Sequence, residues 1–191
     1  MKKYQIIVID PPWQVKKIKN KQRPNQVTMD YPMMSIEDIS KLPIQNISDD
    51  NSWCFLWTTQ KYLWDSKTIL EGWGFKHKLV MVWEKTYGRS AGMPLYGFRW
   101  NADFILVGTK GKKDMFPKRP LIPAVFQAEN IQHSRKPDKF YCMLDGIEGD
   151  RIDLFARRKH DYTFMPWDVW GNEVESDIDF NQPQDIERRG L

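Results

Sequence analysis

Read as a string of apolar and polar positions, the chain alternates short apolar runs with segments of helical spacing. The first run, Tyr4–Ile9, is bounded by prolines and reads as a buried parallel strand. Residues 53–59 form a second such run. Residues 60–72 carry Tyr62, Leu63, Ile69 and Leu70 as an apolar stripe, with Gly72 and Gly74 at the end, which predicts a helix. Residues 75–84 alternate and then turn wholly apolar, a third strand. Residues 104–108, 123–128 and 151–156 predict three more. Met34–Ile39 reads as a short helix with Ser35 at its N-cap and Asp38 at the third helical position. Residues from Pro137 to about 146 read as another, with Pro137 in its first turn. Strand–helix–strand order predicts parallel pairing through right-handed crossovers. The fold expected is therefore Rossmann-like α/β, a mostly parallel sheet of about seven strands with helices on both faces.

Between these elements lie polar stretches. Residues 14–30 hold Lys16, Lys17, Lys19, Lys21 and Arg23 with almost no apolar periodicity, and read as a basic loop. Residues 85–101 read as a long loop in which Arg99 sits among aromatics. Residues 110–120 read as a basic connection, and residues 175–191 as a polar tail. The organisation expected is one domain over 1–174 followed by that tail.

Composition narrows the class. The chain has 191 residues, enough for one domain with a substantial core. A net charge of +4 permits a polyanionic partner without demanding one. Cys54 and Cys142 give neither a disulfide framework nor metal-ligand spacing, and the three histidines are scattered. No apolar stretch reaches membrane-spanning length and the N-terminus lacks a signal-peptide pattern, so a cytoplasmic protein is expected.

The candidate chemistry concentrates in Asp10-Pro11-Pro12-Trp13. In open α/β sheets ligands bind beyond the carboxyl ends of strands, where this tetrapeptide stands. It suits a flat exocyclic amine such as that of adenine, whose nitrogen lone pair is conjugated with the ring. Two acceptors aimed at its two hydrogens draw that lone pair out of conjugation and stabilise developing positive charge. The Asp10 carboxylate and the Pro11 carbonyl can be those acceptors. Pro11 and Pro12 fix φ near −65° and add no donor, and Trp13 offers a face on which a base could stack. The lysines of the 14–30 loop would then contact phosphates flanking the target.

Asp10-Pro11-Pro12-Trp13 after an apolar strand resembles the signature of the MT-A70 family of S-adenosylmethionine-dependent N6-adenine methyltransferases. The resemblance continues through Tyr31, Phe55-Leu56-Trp57-Thr58, Lys136-Pro137-Asp138, Asp153-Leu154-Phe155-Ala156-Arg157 and Gly171-Asn172-Glu173. It implies a class I methyltransferase fold in circularly permuted order, with the catalytic strand first and the cofactor strand last. The two strands must then lie side by side. The cofactor implied is S-adenosyl-L-methionine. Lys136 would pair with its carboxylate, Arg157 and Asn172 would bind the ribose hydroxyls, Phe155 would line the pocket and Glu173 would sit near the adenine. Asp10 and Pro11 would face the methyl-bearing end. Tyr31, Trp57, Arg99 and Asp103 would stand near the substrate base.

Two features depart from the family pattern. No glycine occurs in residues 156–160, which argues against a pyrophosphate loop; S-adenosylmethionine has no phosphate and needs none. The segment through Lys159 and His160 is one residue longer than the resemblance leads one to expect, so neither is assigned. Longer family members carry a segment before the first strand that touches the cofactor adenine. Here Met1 stands only three residues before that strand. The activity implied is methyl transfer to adenine N6 in nucleic acid, DNA ahead of RNA. The alternatives are an RNA N6-adenosine methyltransferase and a catalytically silent, nucleic-acid-binding subunit. A homodimer, or a heterodimer with a family paralogue, is compatible.

Overall fold

The computed structural model describes residues 2–14, 33–86, 93–95, 97–111, 121–130 and 135–180; of 93–95, 99 and 100 it describes the backbone alone. In chain order the strands are β1 (Tyr4–Ile9), β2 (Ser48–Thr58), β3 (Lys76–Thr86), β4 (Met93–Leu95), β5 (Phe98–Trp100), β6 (Ala102–Lys110), β7 (Val125–Glu129), β8 (Arg151–Leu154) and β9 (Asp168–Trp170). The helices are α1 (Ile36–Ser40), α2 (Ile44–Ile47), α3 (Leu63–Gly72, entered through a 3-10 turn at Gln60–Tyr62) and α4 (Asp138–Leu144).

Seven strands form one sheet in the order β7-β3-β6-β2-β1-β8-β9. β6 is antiparallel to both β2 and β3, and the remaining neighbours pair in parallel, so six strands share one direction. The mostly parallel α/β sheet expected from the sequence is present. β2 and β3 do not touch, because β6 is inserted between them.

Strand pleating divides the core into two. Ile7, Ile9, Cys54 and Leu56 point to the face covered by α1, α2 and α3, where Ile39, Ile44, Ile69 and Leu70 meet them. Ile6, Val8, Phe55 and Trp57 point to the other face, against Phe140, Tyr141 and Leu144 of α4. Because both faces are covered, β1 and the second half of β2 read as continuous apolar runs. The Ser35–Asp38 capping box opens α1 as its sequence predicts.

Several boundaries differ from the sequence reading. β2 begins at Ser48 because its first turns are polar and half-exposed, and backbone pairing rather than an apolar run defines them. Within the stretch read as a loop over 85–101, β3 runs on to Thr86 and β4 pairs with β5 as a small separate ladder. Pro137 is the N-cap of α4 rather than a residue of its first turn. Residues 175–180, read as the start of a tail, dock instead. Phe180 is buried with its ring 5.2 Å from that of Trp170, and Asp177 accepts the Val169 N–H.

Candidate active site

β1 and β8 lie side by side in parallel, Ile9 opposite Leu154, and the Asp10 N–H extends the ladder to the Leu154 carbonyl. The catalytic and cofactor strands expected from opposite ends of the sequence are thus neighbours, with their carboxyl ends at one edge.

Beyond β1 the prolines leave acceptors without donors. The Trp13 N–H donates to the Pro11 carbonyl at 2.8 Å, closing a tight turn, and the Met34 N–H donates to the Pro12 carbonyl at 2.9 Å. A carbonyl oxygen has two lone pairs, so Pro11 keeps one for a ligand. Trp13 does not provide the open face expected of it. Only 7 % of it is exposed, Tyr62 stacks on its ring at 5.0 Å, and its Nε1–H donates to the Trp57 carbonyl at 3.0 Å. The ring pins the turn to the end of β2 rather than serving as a base platform.

The Asp10 carboxylate is bound to the Lys136 ammonium at 2.9 Å. Lys136 reaches it from the segment before α4 and also stands 5.0 Å above the Trp57 ring. Burial pushes the Asp10 carboxyl up from its ordinary value; Lys136 opposes this, and the charges of Asp153 and Asp103 add to it. Both residues line a cavity of about 190 Å³, together with Phe155, Arg157 and Glu173.

β8 leaves the sheet through Phe155, whose φ of 64° lies in the left-handed region. That conformation costs a side-chain-bearing residue about 1–2 kcal/mol. It is held by the Phe155 ring packed edge-on to Trp170 at 5.3 Å and by the Ala156 N–H donating to the Trp170 carbonyl. A left-handed residue thus makes the turn for which the sequence offers no glycine. Gly171 completes the contact: a Cβ there would stand 2.1 Å from the Ala156 carbonyl oxygen. This brings the loop after β9 against the loop after β8 and puts Arg157 3.8 Å from Glu173. Asn172 is exposed beside Glu173.

Sequence reasoning missed the cavity's buried polar floor. Asp153, 4 % exposed, accepts from the Tyr141 hydroxyl at 3.0 Å and from His160 Nε2 at 2.8 Å, while His160 Nδ1 meets the Tyr162 hydroxyl at 2.6 Å. Burial pushes the Tyr141 and Tyr162 phenols up, consistent with neutral O–H donors. The available signal was an acid inside the four-residue apolar strand β8, since a buried charge needs partners. Arg135 and Arg158 also line the cavity, and both pair with Asp138.

The remaining sequence candidates lie elsewhere. Trp57 is fully buried, edge-on to Trp83 and Phe140, and is core rather than a contact for a base. Asp103 is paired with Lys85 at 2.8 Å near the carboxyl end of β3. Lys16, Lys17, Lys19 and Tyr31 lie outside the described residues, as does the side chain of Arg99. Among the described residues no cluster of His, Cys, Asp or Glu suits a metal ion, and no helix is long and apolar enough to cross a membrane.

The groups lining the cavity fit the cofactor that the sequence resemblance implies. Lys136 suits a carboxylate, the acids suit a cationic group, and Arg157 with Glu173 can donate to and accept from vicinal hydroxyls.

The MT-A70 family model matches residues 4–173. The type II methyltransferase M.MunI of Mycoplasma sp is 30 % identical, over 91 % of this chain and 78 % of its own length. The N(6)-adenosine-methyltransferase MT-A70-like protein of Arabidopsis thaliana is 26 % identical, over 88 % of this chain and 23 % of that protein. The N(6)-adenosine-methyltransferase catalytic subunit METTL3 of Homo sapiens is 26 % identical, over 91 % of this chain and 28 % of that protein. The chain therefore spans most of the Mycoplasma relative and about a quarter of the plant and human ones.

Proposed function

The chain belongs to the MT-A70 family, and on that premise we propose that it transfers a methyl group from S-adenosylmethionine to the N6 amino group of adenine in nucleic acid, with DNA preferred over RNA. The observation that carries this reading is the meeting of Asp10 and Lys136 at the carboxyl ends of β1 and β8, on the rim of one cavity.

When bound, S-adenosylmethionine supplies an electrophilic methyl group on a sulfonium. The protein supplies alignment and electrostatics. The Asp10 carboxylate accepts one amino hydrogen of the target adenine and the Pro11 carbonyl accepts the other, so the nitrogen lone pair is turned out of the ring system. Trp13, locked between Tyr62 and the Trp57 carbonyl, holds that turn rigid. Lys136 neutralises the cofactor carboxylate, Arg157, Asn172 and Glu173 engage the ribose and adenine end, and Phe155 walls the pocket between them. A target adenine in duplex DNA has to leave the stack to reach this site.

The preference for DNA rests on the basic stretches at 14–30 and 110–120 around a compact domain, which suit a phosphate backbone without reading its sequence. RNA is the second reading, favoured by the relatives named for N(6)-adenosine. A silent subunit is a third, and the retained Asp10-Pro11-Pro12-Trp13 and Lys136 stand against it.

Calorimetric titration with S-adenosylmethionine, followed by methyl transfer to adenine-containing DNA and RNA oligonucleotides, tests the proposal. Cofactor binding with transfer to DNA is the expected result. Preferred transfer to RNA reverses the choice of polymer. Absence of cofactor binding points to the silent subunit.

A further inference from the structure

The cavity holds one buried acid that the proposed mechanism leaves unused. Asp153 is 4 % exposed, yet among the described residues no lysine or arginine pairs with it. The cations around it are committed: Lys136 to Asp10, Arg157 to Glu173, and Arg135 and Arg158 to Asp138. Its two protein donors, the Tyr141 hydroxyl and His160 Nε2, converge on the same oxygen, Oδ2. Asp153 also lines the cavity, so Oδ1 is the oxygen available to a ligand.

We propose that Asp153 receives the α-ammonium group of the methyl donor, and that His160 and Tyr141 are positioning residues that fix its carboxylate for this contact. The inference rests on the cofactor reading above. A buried carboxylate is costly unless it meets a cation with good hydrogen bonds, and an ammonium supplies both. The cofactor's ammonium and carboxylate are attached to one carbon, so their protein partners must stand at the same end of the cavity. Lys136 and Asp153 both line it. Asp10 is the alternative acceptor, but it is held by Lys136 and committed to the target amine.

The hydrogen-bond chain fixes the geometry. With Tyr162 donating to Nδ1, the neutral imidazole carries its proton on Nε2 and donates it to Asp153. Tyr141 donates to the same oxygen from α4. Loss of either donor frees the carboxylate to rotate.

The test compares two ligands by calorimetry: S-adenosylhomocysteine and its analogue lacking the α-amino group. Wild type is expected to bind the deaminated analogue at least about tenfold more weakly, the scale of a charge-assisted hydrogen bond. In Asp153→Asn the two affinities are expected within about threefold of each other, the ammonium having lost its charged partner. His160→Ala is expected to narrow the same ratio and His160→Gln, which keeps a donor, to restore part of it. A merely structural role for His160 weakens both ligands alike and leaves the ratio unchanged. If Asp153→Asn does not fold, the His160 pair makes the same comparison. Wild-type discrimination that persists in Asp153→Asn, or wild type indifferent to the amino group, overturns the assignment to Asp153. Wild type that binds neither ligand overturns the cofactor reading itself.

Discussion

Lys136 Nζ lies 2.9 Å from Asp10 Oδ2, joining two residues that approach from opposite ends of the chain. Asp10 ends the first strand and Lys136 precedes the last helix. Their meeting depends on the parallel pairing of β1 with β8, which brings the two halves of the site to one edge of the sheet. The proposed roles, amine acceptor and carboxylate partner, therefore belong to one coupled pair of charges.

This coupling has a pH signature. Burial raises the Asp10 carboxyl above its ordinary value of 3.8, and Lys136 restrains the rise. Because the folded value is the higher one, the stability Asp10 contributes is fully present below 3.8 and is lost as pH rises through the folded midpoint. Carbon-detected NMR titration of Asp10 in the ligand-free protein should give a midpoint above 3.8, and Lys136→Met should move it higher. A midpoint at or below 3.8 would mean that Lys136 outweighs burial.

Trp13 should behave as a structural residue. Trp13→Ala removes a ring buried against Tyr62 and should cost about 3–5 kcal/mol in urea unfolding. Trp13→Phe keeps the stacking but leaves the Trp57 carbonyl unpaired, at about 1–3 kcal/mol. Lost turnover with unchanged stability would restore the base-platform role.

Two glycines should respond with opposite sign. At Gly171 a Cβ would meet the Ala156 carbonyl at 2.1 Å, so Gly171→Ala must push the two cavity loops apart. A loss of about 1–3 kcal/mol is expected, together with weaker cofactor binding. At the end of α3, Gly72 has nothing within 4 Å of an added Cβ, and Gly72→Ala should stabilise by about 0.4–1 kcal/mol. Thermal unfolding of the pair checks both; a harmless Gly171→Ala would show that the loop contact is loose.

At Phe155 two effects compete. Phe155→Gly relieves about 1–2 kcal/mol of left-handed strain but removes a buried aromatic ring worth about 3–5 kcal/mol. Ring packing against Trp170 should win, leaving a net loss of roughly 2 kcal/mol in denaturant unfolding. A gain in stability would mean the strain is larger than the packing.

The sequence revealed what depends on local pattern. β1, the second half of β2, α1 with its capping box and α3 follow from apolar runs, periodicity and cap residues. Asp10, Lys136, Phe155, Arg157 and Glu173 were named from motifs, and the cavity gathers them. What stayed hidden depends on tertiary contact. The polar start of β2 is defined by pairing with β1, and the positive φ of Phe155 by Trp170. Trp13 and Trp57 carry no mark of exposure in their sequence, and both turned out to be buried. His160 joins Asp153 across seven residues with no periodicity, so only the folded loop brings them together.

The most direct test of the central claim is methyl transfer from labelled S-adenosylmethionine to an adenine-containing DNA oligonucleotide by wild type and Asp10→Ala side by side, with cofactor affinity measured in both. The account expects N6-methyladenine from wild type, at least about a thousandfold less from Asp10→Ala, and cofactor affinities within about tenfold of each other. Retained turnover in Asp10→Ala would contradict the account, because the amine would then be oriented by some other group.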